Sequence, residues 1–211
     1  MDKPVLPQIL VIDTCVLISN VLRRLLLRLA GQACFQPAWS SIIGDEWQRN
    51  ASRLWGVSAS DIQLQWLELQ ADFPEADQGE IAPFKAGLRR SDPKDWHVIA
   101  AARAAKSRAA AGGAVAGTPV AGTPVAGASA GIVTRNIKDF NRTELRGYGL
   151  TLLDPDEVLV RCLQQFPQQA ARAFDEIPDF ARTPGKESEA LDVILKRERL
   201  FRLNRLYPCR P

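Results

Sequence analysis

The chain has 211 residues, 46% hydrophobic and 24% charged, which fits one globular domain with an appendage or an insertion and excludes a mostly disordered polypeptide. With 27 Lys and Arg against 24 Asp and Glu the net charge is +3, a mildly basic balance that points only weakly to an anionic partner. A single histidine, His97, excludes a multi-histidine zinc site; four scattered cysteines, Cys15, Cys34, Cys162 and Cys209, form no C-x-x-C pair and support neither a zinc ribbon nor a dense disulfide framework. A reducing cytoplasm is the expected compartment. The opening MDKPVLPQILVIDTC, broken by Asp2 and two prolines, lacks a signal-peptide layout. The apolar stretch 21–30 is interrupted by Arg23, Arg24 and Arg28, too short and too charged to cross a bilayer, so no membrane partner is expected.

In chain order, the β-branched run ILVI at 9–12 predicts a buried strand that delivers Asp13 at its C-terminal end. Residues 15–31 carry apolar positions at helical spacing, with Gly31 as a stop. ACFQPAW predicts a second extended piece, and the serines that follow cap a helix over 40–56. Another helix is expected over SASDIQLQWLELQADFP. SDPKDWHVIAAARAAKSRAAA has clear start signals: Asp92 at the N-cap, Pro93 at the first helical position and Asp95 at the third. Residues 114–130 then change character, with VAGTP, VAGTP and VAGAS repeating at Val115, Val120 and Val125, and are expected to form a flexible surface insertion. GIVT predicts a strand with RNIKDF as its loop, LTLL a further strand, and Pro155 the opening of a helix over DEVLVRCLQQF. From Pro167 onward one or two helices are expected, ending in KRERLFRLNRLYPCR with six Lys and Arg against one Glu. That run can bind RNA phosphates, pair with an acidic partner, or simply be solvated. Strands alternating with helices predict an α/β fold with a mainly parallel sheet, whose functional crevice lies at the C-terminal strand ends.

Asp13, Glu46, Asp95 and Asp139 stand where such a crevice would gather them, with Asn136 three residues before Asp139. Converging carboxylates repel one another unless a cation lies among them, and oxygen ligands without His or Cys suit Mg²⁺ or Mn²⁺. Three of these acids also have a simpler reading. Asp13 can cap the next helix, Glu46 can be a solvated residue beside Asp45, and Asp95 can be a first-turn dipole acid. Asn136 can hold a tight turn, and His97 reads as structural rather than as a general base. Arg135 and Lys138 border the loop and are candidates for substrate phosphates.

The stretches VIDTCVLISNVLRRLLLRLA, FQPAWSSIIGDEWQRN, DPKDWHVIAAARAA, GIVTRNIKDF and YGLTLLDPDEVL, in that order over most of residues 6–165, resemble the PIN-domain family, in particular the ribonuclease toxins of type II toxin–antitoxin pairs. The resemblance implies a three-layer α/β/α sandwich around a short parallel sheet over 6–165, with 166–211 as a basic helical C-terminal appendage. It also implies Mg²⁺- or Mn²⁺-dependent endoribonuclease activity, RNA as substrate, a cognate antitoxin as inhibitor, and a homodimer as the common assembly. Asp13, Glu46 and Asp95 match the first three metal-binding acids. The fourth position falls in the loop holding Thr134, Asn136 and Asp139, and either Asn136 or Asp139 fills it. Thr134, Arg135 and Lys138 become the expected substrate contacts. Asn136 stands where many members carry Asp, and the insertion replaces a normally very short link. Both departures keep open an alternative: a catalytically weak or inactive RNA- or protein-binding module on the same fold.

Overall fold

The computed structural model describes residues 5–111, 128–182 and 188–207. The expected VAGTP insertion therefore falls, except for its last three residues, outside the described part of the chain, as do Cys209 and the last residues of the basic tail. The fold is α/β, built on four parallel strands: β1 (Ile9–Ile12), β2 (Gln36–Ala38), β3 (Ala130–Val133) and β4 (Leu150–Leu153), in the spatial order β2-β1-β3-β4. Ile9 is in register with Gln36 on one side and Ala130 on the other, and Val133 with Leu153. The two central strands are buried along their whole length, which is why they read as continuous apolar runs rather than alternating ones.

Eleven α-helices surround the sheet among the described residues: α1 (Thr14–Leu17), α2 (Asn20–Gly31), α3 (Ser41–Trp55), α4 (Ala59–Asp72), α5 (Trp96–Ala110), α6 (Arg142–Gly147), α7 (Pro155–Gln165), α8 (Pro167–Asp175), α9 (Ile177–Ala181), α10 (Leu191–Arg197) and α11 (Phe201–Leu206). Helix α5 lies on β1 and β3, α6 on β4, and α3 pairs with α4. This arrangement is compatible with an α/β/α sandwich. Among the described residues no helix is long and apolar enough to cross a membrane, and Cys15, Cys34 and Cys162 are free thiols.

Several elements differ from expectation. The helix predicted over 15–31 is two helices, because Ser19 takes an extended conformation and caps α2 by accepting from the Leu22 N–H at 3.2 Å. The helix predicted from Asp92 begins as a 3₁₀ turn over Pro93–Asp95, and α5 starts only at Trp96. Asp95 is therefore the residue before α5 rather than part of its first turn. The third strand starts at Ala130, inside the range assigned to the insertion. From Pro167 onward the described residues form four short helices, where one or two were expected.

Candidate functional site

All four strands run parallel, so their C-terminal ends share one edge of the sheet. The chain leaves β1 for β2 on one side, then crosses back to β3 on the other. The ends of β1 and β3 thus flank the switch point where open α/β sheets hold their ligands. Asp13 follows β1 and Thr134 follows β3, and the Asp13 N–H donates to the Val133 carbonyl at 3.0 Å, carrying the ladder one step beyond the strands.

The Asp13 carboxylate is buried, at 4% exposure. Its Oδ2 accepts from the Thr134 hydroxyl at 2.6 Å and from the Cys15 thiol at 3.0 Å. Burial first, and the Asp13 charge second, push the Cys15 thiol up to about 12, so it stays a protonated donor and is no nucleophile. Thr134, expected to contact substrate, is fully buried, and its oxygen also accepts the Asn136 N–H at 3.0 Å. Its hydroxyl therefore orients Asp13 and does not reach solvent.

The capping pattern separates these residues from ordinary helix starts. Ser19, Ser40, Ser58, Asp92, Asn141 and Asp154 all precede helices or 3₁₀ turns and all accept a backbone N–H with their side chains. Asp13, Asp95 and Asn136 occupy the same kind of position and make no such bond. Asp92 thus serves as the cap its position predicts, whereas the capping alternative fails for Asp13, whose Oδ1 stays available to the crevice; Asp95 stands before α5 and caps nothing.

Asp95 is raised to about 6, by burial first and then by the charges of Asp13, Asp139 and Asp92, with His97 opposing them. Three sequence-predicted acids, Asp13, Asp95 and Asp139, therefore share one electrostatic field. The loop geometry agrees: the Asp92 N–H donates to the Asp139 carbonyl at 2.9 Å, and the Asp139 N–H to the Asn136 carbonyl at 3.0 Å. The Asn136 side chain makes no hydrogen bond among the described residues.

Glu46 is not among the acids that raise Asp95. It is nevertheless tethered to the same edge, where its Oε2 accepts from the Thr14 hydroxyl at 3.0 Å. On α3 its neighbours divide as the helical period requires: Trp47 is buried in the core, Asp45 is exposed, and Glu46 is half-buried. His97 Nε2 stands 3.4 Å from Glu46 Oε2. His97 Nδ1 lies 2.8 Å from the Lys94 carbonyl and so must donate to it, which leaves Nε2 protonated only in the imidazolium form. The pair is therefore an ion pair when His97 is charged and two facing acceptors when it is neutral. Sequence reading missed this contact, since it gave His97 only a structural role; the packing of α5 beside α3 turns it to Glu46.

The expected phosphate contacts diverge. Arg135 donates to Glu198 Oε2 at 2.7 Å and to the Glu198 carbonyl at 3.2 Å, so the C-terminal segment already engages it. Lys138 is exposed and makes no ion pair among the described residues.

Oxygen donors with no available thiolate fit a hard divalent cation, and the repulsion felt by Asp95 is the kind a cation relieves. Among the described residues, however, no three His, Cys, Asp or Glu side chains stand close enough to form a ready-made metal cluster. Compared with models of protein families, with curated proteins and with solved structures, the chain matches none.

Proposed function

We propose that the chain is a metal-dependent endoribonuclease of the PIN-domain kind, its 6–165 region the nuclease and a three-layer sandwich. Asp13, Asp95 and Asp139 would hold Mg²⁺ or Mn²⁺, with Glu46 and Asn136 completing the set. The observation that carries this reading is the group of polar residues at the switch point that leave their caps unmade, Asp13 and Asp95 foremost, with Asp139 in the same field. A bound divalent ion supplies activation of water and stabilisation of charge on a phosphodiester. Thr134 and Cys15 hold Asp13 Oδ2 in one orientation and leave Oδ1 to the ligand. Thr14 holds Glu46 Oε2 by donating to it, which leaves Oε1 for a ligand. Only the sequence resemblance supports the narrower reading: the cytoplasmic toxin of a type II toxin–antitoxin pair, inhibited by a cognate antitoxin and assembled as a homodimer.

A second reading, a weak or inactive RNA- or protein-binding module, is favoured by Asn136 and by the lack of a preassembled cluster. RNA cleavage by the purified chain with Mg²⁺, Mn²⁺ or EDTA separates the two. Cleavage that needs the ion, leaves 5′-phosphate ends and falls on the order of a hundredfold or more in Asp13→Asn is expected. Full activity in that variant rejects the site, and no Mn²⁺ binding by calorimetry selects the second reading.

A further inference from the structure

A groove of about 410 Å³ reaches the loop that follows β3, within the range of about 300–1,000 Å³ that small-ligand sites occupy. Arg135 and Ile137, from the loop that carries Asn136 and Asp139, line it. So do Arg199, Phe201, Arg202 and Arg205, from the end of α10 and from α11. Three acids also border the groove, and all three are already engaged. Asp156 accepts the backbone N–H groups of Arg202 at 2.7 Å and Leu203 at 2.9 Å. Asp154 caps α7 and accepts from the Arg202 guanidinium at 3.0 Å. Glu198 accepts from the Ser19 hydroxyl at 2.8 Å and from Arg135 at 2.7 Å.

That leaves Arg199 and Arg205 exposed and without an ion pair among the described residues. Arg199 has φ 60°, at the left-handed position that ends α10, where the Leu200 N–H donates to the Leu195 carbonyl at 2.8 Å. Glycine suits that position better, so an arginine there is not a backbone requirement. Between the two arginines Phe201 is 55% exposed. Free guanidinium groups in one groove with an exposed aromatic ring match the needs of a nucleic-acid strand: charge for phosphates and a flat apolar face for a base.

We infer that this groove binds single-stranded RNA, with phosphates at Arg199 and Arg205 and a base stacked on Phe201, and leads the strand past Arg135 to the carboxylates. The last clause rests on the nuclease reading; binding in the groove does not.

The test is anisotropy of a labelled oligouridine with the full chain in EDTA, over a series of salt concentrations. The Arg199→Gly/Arg205→Ala double variant keeps the fold, because glycine fits φ 60° and Arg205 is exposed. It is expected to flatten the slope of log affinity against log salt by about 1.4, two phosphates at about 0.7 each. Phe201→Ala is expected to weaken binding by about tenfold with the slope unchanged. An unchanged slope in the double variant overturns the inference. So does equal or tighter binding of polyglutamate through the same arginines, which would assign the groove to an acidic protein. RNA binding with these losses in a chain that cleaves nothing would reject the nuclease reading and leave the groove assignment standing.

Discussion

Asp95 concentrates the electrostatic tension of the site in one side chain. Its folded pKa of about 6 lies above the ordinary 3.8, so between those values the native chain binds more protons than the unfolded one. The charged form therefore costs stability above about pH 6, and the cost is relieved as the pH falls through that window. Asp95→Asn is expected to raise the melting temperature at neutral pH, and the gain should shrink on acidification toward about pH 4. Mg²⁺ or Mn²⁺ should raise the melting temperature of the natural chain at neutral pH and do less for the variant. A thermal-shift series over pH and metal checks both; a variant less stable at neutral pH would mean that Asp95 is held by favourable partners rather than by repulsion. The places of Asp13, Glu46 and Asp95 in the fold were legible in the sequence because strand ends and helix starts mark themselves through β-branched runs, Pro93 and serine caps. Their supporting contacts were not. Arg135 meets Glu198 from 63 residues away and Thr134 meets Asp13 from 121, and no local pattern encodes such distances.

Element packing decides whether α3 can present Glu46. Gly44, two residues earlier on the same helix, touches Trp66 of α4: a Cβ built there would lie 2.4 Å from the indole ring. Trp66 has little room to retreat, with Trp39 at 5.5 Å and Trp47 at 5.6 Å between ring centroids. Arg23 closes the same cluster, its guanidinium 4.8 Å from the Trp55 ring centroid and 5.4 Å from that of Trp47. Gly44→Ala sets a helix-propensity gain of about 1 kcal/mol against an overpacking cost of about 1–3 kcal/mol, and the boxed-in ring makes the clash prevail. The urea midpoint should fall with an unchanged m-value, and a raised midpoint would show that Trp66 yields. The sequence predicted this helix without giving a reason for its glycine, since close approach of two helices leaves no periodic signature. The break at Ser19 was hidden likewise, because the apolar spacing runs through it unbroken.

At the scale of the whole molecule, the question is whether residues beyond 166 are an appendage or part of the core. Helices α8 and α9 pack on α2, and α11 packs on α7. Phe174, Ile177, Ile194, Leu195 and Leu203 are all completely buried. At about 1.5–3 kcal/mol for each large apolar side chain removed from water, their combined burial matches the whole net stability of a typical domain, about 5–15 kcal/mol. Polar ties cross the same boundary: Asn20 donates to the Phe180 carbonyl at 3.0 Å, Arg28 pairs with Glu176 at 2.7 Å, and buried Asp156 depends on the N–H groups of Arg202 and Leu203. Cutting the chain after Phe166 would remove the hydrogen-bond partners of that carboxylate and uncover the outer face of α2. The full chain should therefore melt in a single cooperative transition, and a chain ending at Phe166 should show none and bind a hydrophobic dye. Calorimetry of the two proteins decides the matter. A truncated chain that still melts cooperatively would make 167–211 the separable appendage its sequence suggests. A chain that loses its transition would make the groove arginines part of the same cooperative unit as the carboxylates, so that folding itself fixes the distance between them.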